Sequence, residues 1–260
     1  MSDEVRGGVQ SVTRALQALE LIAEAGELGV TDLGRRLGVH KATASRLAAT
    51  LAGGGLVERD PVSDRYRLGF GLIRLAGTAM AGLDLVRTGR PVLEELADRT
   101  RESVTLGVLS NDEVIYVDQV ASPRLIVSGN WIGQRTPLHC SASGKVFLAW
   151  LSPSKRDQLL ARPLQVYTPQ TVTDPASLRQ QLEEARIRGY ACIQDEIEEG
   201  LNAVAAPVRQ ANGEVVAAIA VSGPSFRVRA IDLPGLGRVT VDAAVAMSRR
   251  LGHAAHRGPQ

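Results

Sequence analysis

The 260-residue sequence predicts an α+β protein made of two parts joined by a helix. Three helical segments and a β-hairpin occupy residues 9–70, and this order is typical of a winged helix-turn-helix domain. In residues 89–254, hairpin signals are interspersed with helical periodicity, which predicts a largely antiparallel sheet with packed helices. An apolar stripe over residues 71–88 predicts a linker helix between the two parts.

The first two helices of the N-terminal part are short and amphipathic. The first is predicted to begin at Ser11, a good capping residue, and to end at Gly26. The second is predicted to begin with Thr31 as its cap and to end at Gly38. The residues on the predicted inner faces of the two helices are Val12, Leu16, Leu19, Ala23, Leu33 and Leu37.

The third helix, predicted from His40 to Ala52, has the features of a DNA recognition helix. A projection at about 100° per residue turns one apolar face inward. That inner face comprises Ala44, Leu47, Ala48 and Leu51. The outer face is small and polar with one guanidinium, and comprises Ala42, Ser45, Arg46 and Ala49, flanked by Thr43 and Thr50. The hairpin that follows, with strands at residues 56–59 and 65–68, supplies a basic wing.

Basic residues are concentrated in the second half of the N-terminal part. Residues 31–70 contain seven basic and four acidic side chains, whereas residues 1–30 contain two basic and five acidic ones. The formal net charge of the whole chain is only +2, which does not by itself indicate a nucleic-acid partner. The local excess lies on the third helix and the hairpin, so it favours double-stranded DNA as a partner.

Composition excludes several other classes of protein. Aromatic residues make up only 3% of the chain, too few for a surface that stacks single-stranded bases. No apolar run approaches the roughly 20 residues that span a bilayer, and the N-terminus carries no signal peptide, so we expect a cytoplasmic protein without a membrane partner. Two cysteines, Cys140 and Cys192, cannot build a disulfide scaffold or fill a zinc site alone.

The C-terminal part is predicted to begin with a helix at residues 90–100, started by Pro91. Its clearest hairpin signal is Asn212-Gly213. Strands are predicted at 103–109, 113–120, 125–128, 190–194, 203–209 and 214–222. Further helices are predicted at 143–151, 154–161, 175–188 and 235–251.

The segment from Thr31 to Leu47 resembles the winged helix of the isocitrate lyase regulator (IclR) family. The third-helix run of that family is usually Pro-Lys-Ser-Thr-Val-His-Arg-Leu. This sequence keeps Lys41, Thr43, Arg46 and Leu47 and has His40, Ala42, Ala44 and Ser45 at the other positions. Residues 58–61 and 65–69 resemble the wing of the family.

The resemblance continues through the second part, where residues 138–145 match the family segment His-x-(Ser/Thr)-Ala-x-Gly-Lys. Later signatures follow in order at Gly189-Tyr190, Glu196, Gly200, Ala205-Ala206-Pro207-Val208 and Ser222-Gly223-Pro224. The similarity covers about residues 9–250. It implies a transcription regulator, with repression favoured over activation. It also implies that the C-terminal domain, similar to GAF and PAS sensor folds, binds a small metabolite, often an organic acid.

The predicted DNA contacts lie on the third helix and the wing. Arg46 is predicted to read a base edge, because a guanidinium matches guanine with two hydrogen bonds. Lys41, Thr43, Arg59 and Arg65 are predicted to hold phosphates and set the register. The complete set is Thr31, Lys41, Ala42, Thr43, Ser45, Arg46, Arg59 and Arg65. A homodimer or a dimer of dimers is expected, because two reading heads multiply the specificity of one.

For the effector site, the resemblance implies Ala142, Ser143, Gly144, Ile193, Asp195, Ala203, Ala220 and Ser222. The sequence departs from the family at several polar positions. Ile193 and Gln194 replace an acidic pair, Ala203 replaces a cysteine, and Ala220 replaces a serine. We therefore predict a larger or more apolar ligand, whose anionic end is bound by the amides of Ser143 and Gly144.

Enzyme motifs are incomplete in this sequence. The run Ser141-Ala142-Ser143-Gly144-Lys145 has neither the first glycine of a P-loop nor a Ser/Thr after the lysine. A Ser-x-x-Lys nucleophile motif would need serine where Ala142 stands. His139 is predicted to be a structural hydrogen-bonding residue, and Trp131 and Trp150 to be packing residues. Solvated loop charges are predicted at Asp195, Glu196, Glu198 and Glu199.

No cofactor or metal is predicted. Two other functions remain open from the residues alone. The chain could be a metabolic enzyme with an appended helix-turn-helix, or a sensor module that contacts only protein. A turnover screen separates enzyme from sensor, and salt-sensitive binding to the DNA upstream of its own gene separates a regulator from both.

Overall fold

The computed structural model describes residues 9–81, 84–124 and 129–253. The chain divides into two compact units between Leu83 and Asp84, and each unit has its own core. The strand predicted at residues 125–128 lies outside the described residues. No helix in the described part of the chain is long and apolar enough to cross a bilayer.

The first unit has the element order of a winged helix-turn-helix. Its elements are α1 (Gln10–Ala25), β1 (Glu27–Gly29), α2 (Val30–Arg36), α3 (Lys41–Gly53), β2 (Val57–Arg59), β3 (Arg65–Leu68) and α4 (Phe70–Ala81). The three strands form an antiparallel sheet in the order β1-β3-β2. The core lies between the first three helices and this sheet, and its fully buried members include Ile22, Leu33 and Ala48.

The starts of the first two helices differ from the sequence prediction. Helix α1 begins at Gln10 after Val9, so Ser11 lies inside it and does not cap it. Thr31 likewise lies inside α2, which follows Gly29 directly. The cause is strand β1, which was not predicted because three residues are too short to show alternation. Pairing of β1 with β3 leads the chain straight into α2.

The buried face of α1 was also predicted wrongly. Ala18 and Ile22 are fully buried, whereas Val12 and Leu16 are 56% and 57% exposed. Apolar residues occupy two stripes of this helix, and the stripe that includes Ala18 and Ile22 is the one that packs on the core. Periodicity alone cannot choose between two apolar stripes.

The second unit is a six-stranded antiparallel sheet with helices on both faces. Its elements are α5 (Asp84–Thr100), β4 (Ser103–Ser110), β5 (Glu113–Val120), β6 (Arg135–Pro137), α6 (Ala142–Trp150), α7 (Pro153–Leu160), α8 (Pro175–Arg188), β7 (Ala191–Gln194), β8 (Leu201–Arg209), β9 (Val215–Pro224) and α9 (Leu233–Arg250). The strand order is β6-β5-β4-β9-β8-β7. This confirms the predicted α+β class. The edge strand β6 was not predicted, again because it has only three residues.

Helix α5 begins six residues before its predicted start, so Pro91 lies inside the helix and not in its first turn. Proline is favoured in a first turn, which explains the misplaced boundary. Helices α5 and α9 pack on one face of the sheet, and α6, α7 and α8 supply the core on the other face.

Alternation along the central strands assigns their side chains to the two faces. On β8, Ala203 and Ala205 belong to the core beneath α6, while Val204 and Ala206 belong to the core beneath α9. A strand covered on both faces is buried along its whole length, as the near-continuous burial of β8 shows. The face beneath α6 therefore presents small side chains, and it leaves space there.

Candidate DNA-binding surface and effector cavity

The recognition helix α3 is set on α2 by a tight turn. Gly38 in this turn has a φ of 64°, a left-handed conformation that favours glycine. Gly34 is buried at the helix contact, where an added Cβ would lie 3.1 Å from the carbonyl oxygen of Val39. His40 caps α3 by accepting a hydrogen bond at Nδ1 from the amide of Ala42 at 3.4 Å. These contacts fix the orientation of α3.

The two faces of α3 lie largely as the sequence predicts, but Leu47, which was predicted on the inner face, is only half-buried. Ala44, Ala48 and Leu51 are buried. Exposed residues form the opposite face, which comprises Ala42, Ser45, Arg46 and Ala49, with Thr50 exposed and Thr43 half-buried beside it. Thr31 on α2 is also exposed. The helix thus presents small side chains and one guanidinium to solvent, a surface that fits closely into a major groove.

The cations of this unit fall into two groups. Each wing arginine is paired with a carboxylate: Arg59 with Asp64, Arg65 with Glu27 at 3.2 Å, and Arg67 with Glu58 at 3.4 Å. By contrast, the side chains of Lys41 and Arg46 make no hydrogen bond or ion pair with any residue that the structure describes. The recognition helix can therefore bind DNA without first breaking an ion pair, whereas Arg59 and Arg65 must exchange partners.

A small cavity of about 30 Å³ lies between the sheet and the start of α6. Thr105 pairs with Ala220 across two strands, and Ser222 pairs with Ala203, which in turn pairs with Ile193. These registers place residues from β4, β9, β8 and β7 side by side under α6. The lining residues are Thr105, Tyr116, Trp131, Thr136, Ser141, Ala142, Ser143, Ile193, Ile197, Leu201, Ala203, Ala220 and Ser222.

Six of the eight predicted effector residues line this cavity, and two do not. Gly144 packs against the backbone of Leu138, and its amide donates to Ser141 Oγ at 3.1 Å. Asp195 turns away with a φ of 56°, and its carboxylate accepts from the Gly200 amide at 2.6 Å. The amide of Gly144 is thus already occupied by the helix cap, which corrects its predicted role as an anion donor.

Two polar atoms of the cavity lining have unused hydrogen-bonding capacity. Ser143 Oγ and Trp131 Nε1 are buried without a hydrogen-bond partner in the described part of the chain. Burial raises the pKa of the neighbouring Tyr116, and the hydroxyl groups of Thr136 and Ser143 oppose this shift. A buried unpaired donor is costly, so each such atom in a native protein calls for a ligand or a water.

Several cavity residues were missed from the sequence. Tyr116 and Thr136 come from β5 and β6, which pair with each other beside the cavity. Trp131 was predicted to be a packing residue, and it does stack edge-on against Tyr116 at 5.7 Å between ring centroids, yet it also lines the cavity. Alternation along β5 could have indicated Tyr116, but no local pattern places β6 or Trp131.

A buried ion pair lies one turn along α6 from the cavity. Lys145 Nζ donates to both carboxylate oxygens of Glu196 at 2.6 Å and to Gln181 Oε1 at 2.7 Å. Glu196 is only 6% exposed, so its prediction as a solvated charge was wrong. Burial lowers the pKa of Lys145 and raises that of Glu196, while the charge of each partner opposes the shift. The pair ties α6 to the loop after β7.

The neighbouring reactive side chains are structural. His139 Nε2 is hydrogen-bonded to the carbonyl oxygen of Gln165 at 2.9 Å, which confirms the predicted structural role. Burial lowers the pKa of this histidine. Burial also raises the pKa of the Cys140 thiol to about 12, which keeps it protonated and a poor nucleophile at neutral pH. Trp150 packs beneath the Arg209 guanidinium, in agreement with its predicted packing role.

Family models match both units. Residues 11–61 match the model described as IclR helix-turn-helix domain, and residues 77–249 match the one described as Bacterial transcriptional regulator IclR C-terminal. The chain belongs to the IclR family. Among its relatives, the HTH-type transcriptional regulator XynR of Escherichia coli (strain K12) is 33% identical over 95% of this chain and 99% of its own.

Two further relatives bear on the sites of this IclR-family chain. The transcriptional repressor IclR of Escherichia coli (strain K12) is 33% identical over 92% of this chain and 88% of its own. The solved structure of an IclR homolog from Microbacterium hydrocarbonoxydans is complexed with 4-hydroxybenzoate; it is 29% identical, covers 93% of this chain and 99% of its own, and has a TM-score of 0.83. This IclR-family chain is therefore a transcription regulator with a DNA-binding and a ligand-binding domain, and not an enzyme.

Proposed function

We propose that this regulator is a cytoplasmic repressor whose operator affinity is set by an organic acid with an apolar body. Its DNA-binding domain comprises residues 9–70, followed by the linker helix and an effector domain at residues 89–254. The observation that carries the proposal is that one chain contains both an exposed recognition helix and a cavity whose lining has two polar atoms without a partner among the described residues. Arg46 reads a base edge, while Lys41, Thr43, Arg59 and Arg65 hold phosphates.

The effector binds in the cavity beneath α6. The Ser143 hydroxyl and the Trp131 indole N–H donate to its polar end, while Ile193, Ala203 and Ala220 contact its apolar body. The 4-hydroxybenzoate bound by the Microbacterium homolog has this combination of groups. At about 30 Å³ the cavity has room for only a water or two, so effector binding widens it.

The regulator acts as a homodimer or a dimer of dimers. Apolar side chains remain exposed on the first unit, with Val12 and Leu16 on α1 and Phe70 and Ile73 on α4. A second copy can cover them, and two recognition helices then read two half-sites. The effector shifts operator occupancy through its differential affinity for two arrangements of these helices. Light scattering of the full chain measures the oligomeric state.

The experiment that tests the proposal measures binding to the DNA upstream of the regulator's own gene. Fluorescence anisotropy with this DNA and with a scrambled sequence separates specific from non-specific affinity, and titrations at several salt concentrations measure the phosphate contacts on which both depend. We expect specific binding that 4-hydroxybenzoate or a related acid weakens. The proposal is contradicted if the protein binds this DNA without sequence preference, or if none of these acids changes its affinity for the DNA.

Removal of a wing charge is expected to act on all DNA alike. Arg65→Ala should weaken specific and non-specific binding about equally and reduce the salt slope by about one, because Arg65 is assigned to a phosphate. Glu27→Gln is the matched control. It releases Arg65 from its ion pair, so it should leave both affinities unchanged or slightly raised. A loss confined to one base position would contradict the phosphate assignment.

New polar groups in the cavity are expected to weaken effector binding. Ala203→Cys combined with Ala220→Ser should reduce the affinity for 4-hydroxybenzoate at least tenfold, because the apolar body cannot satisfy them and the cavity is narrow. Calorimetry on the full chain measures this, with the exposed Ala176→Ser as control. Glyoxylate should bind more weakly than 4-hydroxybenzoate to the unmodified protein. The opposite order, or unchanged affinity in the double variant, contradicts the apolar pocket.

A further inference from the structure

A second cavity, of about 280 Å³, lies at the end of the effector domain where α6, α8, α9 and β8 all terminate. Three arginines and one histidine line it: Arg186, Arg209, Arg249 and His253. Among the described residues, no carboxylate does so. The effector cavity beneath α6 shares none of these residues. This concentration of unmatched positive charge has no part in DNA or effector binding as proposed above.

Two of the three cavity arginines make no polar contact within the described structure. The side chains of Arg186 and Arg249 make no hydrogen bond or ion pair with any described residue. Their neighbour Arg188 is different, since it donates to the Tyr190 carbonyl oxygen at 2.8 Å and to Cys192 Sγ at 3.3 Å. Arg186 and Arg249 therefore retain all their donors for a ligand.

Helix capping does not account for these cations. Cations are often found near helix C-termini, where they interact with the free carbonyl groups. At each of these helix ends a backbone amide already satisfies one of the free carbonyl groups: Gly189 donates to Ala185 at the end of α8, and His253 donates to Ser248 at the end of α9, both at 2.9 Å. Among the described residues, neither the Arg186 nor the Arg249 side chain donates to a helix-terminal carbonyl group, so neither acts as a helix cap.

Two further observations point to an anionic occupant. His253 Nδ1 is buried and has no hydrogen-bond partner in the described part of the chain. Burial lowers the pKa of the Arg209 guanidinium, and the charge of Arg186 lowers it further. Arg209 is held in place by the Gly213 carbonyl oxygen at 2.8 Å and by the Trp150 ring. An anion between these groups would satisfy the histidine and relieve the repulsion.

We propose that this cavity binds a small phosphate monoester, as a ligand distinct from the organic-acid effector. Guanidinium groups bind phosphate oxygens with paired hydrogen bonds, and a dianion matches several cations better than a single carboxylate does. The apolar side of the cavity, formed by Val241, Ala244 and Val245, contacts the carbon body of the ester. The regulator thus has two ligand sites in one domain.

Calorimetry on the full chain at constant ionic strength tests this site with two probes, phenyl phosphate and inorganic phosphate. We expect saturable binding of both, with phenyl phosphate tighter because it also contacts the apolar side. Arg186→Gln combined with Arg249→Gln should weaken both at least tenfold without changing the melting temperature, since both side chains are exposed. Arg250→Gln is the matched control, because Arg250 is an exposed arginine of the same helical turn that does not line the cavity.

Four results would overturn the proposal. If neither probe binds saturably, the cavity is not a ligand site. If Arg250→Gln loses as much affinity for the probes as the Arg186, Arg249 double variant does, the probes respond to diffuse positive charge and not to this cavity. Equal affinities for the two probes assign the cavity to inorganic phosphate and not to an ester. The Ala203→Cys, Ala220→Ser variant provides a positional check and should bind phenyl phosphate normally. A loss there would place the probe in the effector cavity instead.

Discussion

Lys145→Ala is expected to lower the free energy of unfolding by about 3–5 kcal/mol, which is a large part of the stability of a domain. The substitution leaves the Glu196 carboxylate buried without the ammonium that holds both of its oxygens at 2.6 Å. It also removes the donor to Gln181. Urea unfolding followed by circular dichroism measures the change.

Two further variants test whether the loss of stability comes from leaving one partner of the buried ion pair without the other. Lys155→Ala breaks an exposed pair with Asp112 and should cost less than about 1 kcal/mol, because solvent screens that pair. Lys145→Met combined with Glu196→Leu should recover most of the loss, since apolar residues of similar volume can replace a buried ion pair. A single Lys145 variant as stable as the unmodified protein would show that the pair does not hold α6 to the loop after β7.

Arg46→Ala is expected to weaken operator binding by about 1–3 kcal/mol while leaving the fold intact. The Arg46 side chain is exposed and has no partner among the described residues, so its removal leaves no buried group unsatisfied. Specific affinity should fall more than non-specific affinity, because a base contact carries sequence information. Anisotropy titrations with operator and scrambled DNA measure both.

Lys41→Ala is the matched comparison, since Lys41 lies on the same helix and is likewise unpaired. Its assigned phosphate contact predicts a uniform loss on both DNAs. If the Arg46 variant bound its operator like the unmodified protein, Arg46 would be removed from the base-reading surface. If both variants lost affinity uniformly, the base-edge role would belong to another residue of α3.

Local signals predicted the fold well wherever they were complete. Helix α8 occupies residues 175–188 as predicted, because the Asp174 carboxylate caps it through the Ser177 amide and Gly189 ends it with a φ of 83°. Spacing also predicted the faces of α3 correctly, apart from Leu47, which is only half-buried. Errors arose where tertiary pairing decides the outcome, as at β1 and β6, which exist only through their partner strands.

Part of the cavity lining was likewise predictable from signals within the sequence. Alternation and family resemblance together indicate Ala203 and Ala220, since both lie on regular strands. The prediction failed for Glu196, because nothing near it in the sequence shows that Lys145 lies against it across 51 positions. Unpaired donors such as Trp131 Nε1 become visible only once all neighbours are in place.

The narrowness of the effector cavity, at about 30 Å³, has a consequence for the concentration at which the regulator responds. The apparent dissociation constant equals the intrinsic one divided by the fraction of molecules that are already widened, so a widened form at about 1% raises the half-saturating concentration about 100-fold. If the effector binds in this cavity as proposed, a closed resting cavity makes the switch insensitive to trace metabolite and responsive only to accumulation. Substitutions that widen the resting cavity would move this threshold to lower concentrations without touching a DNA contact.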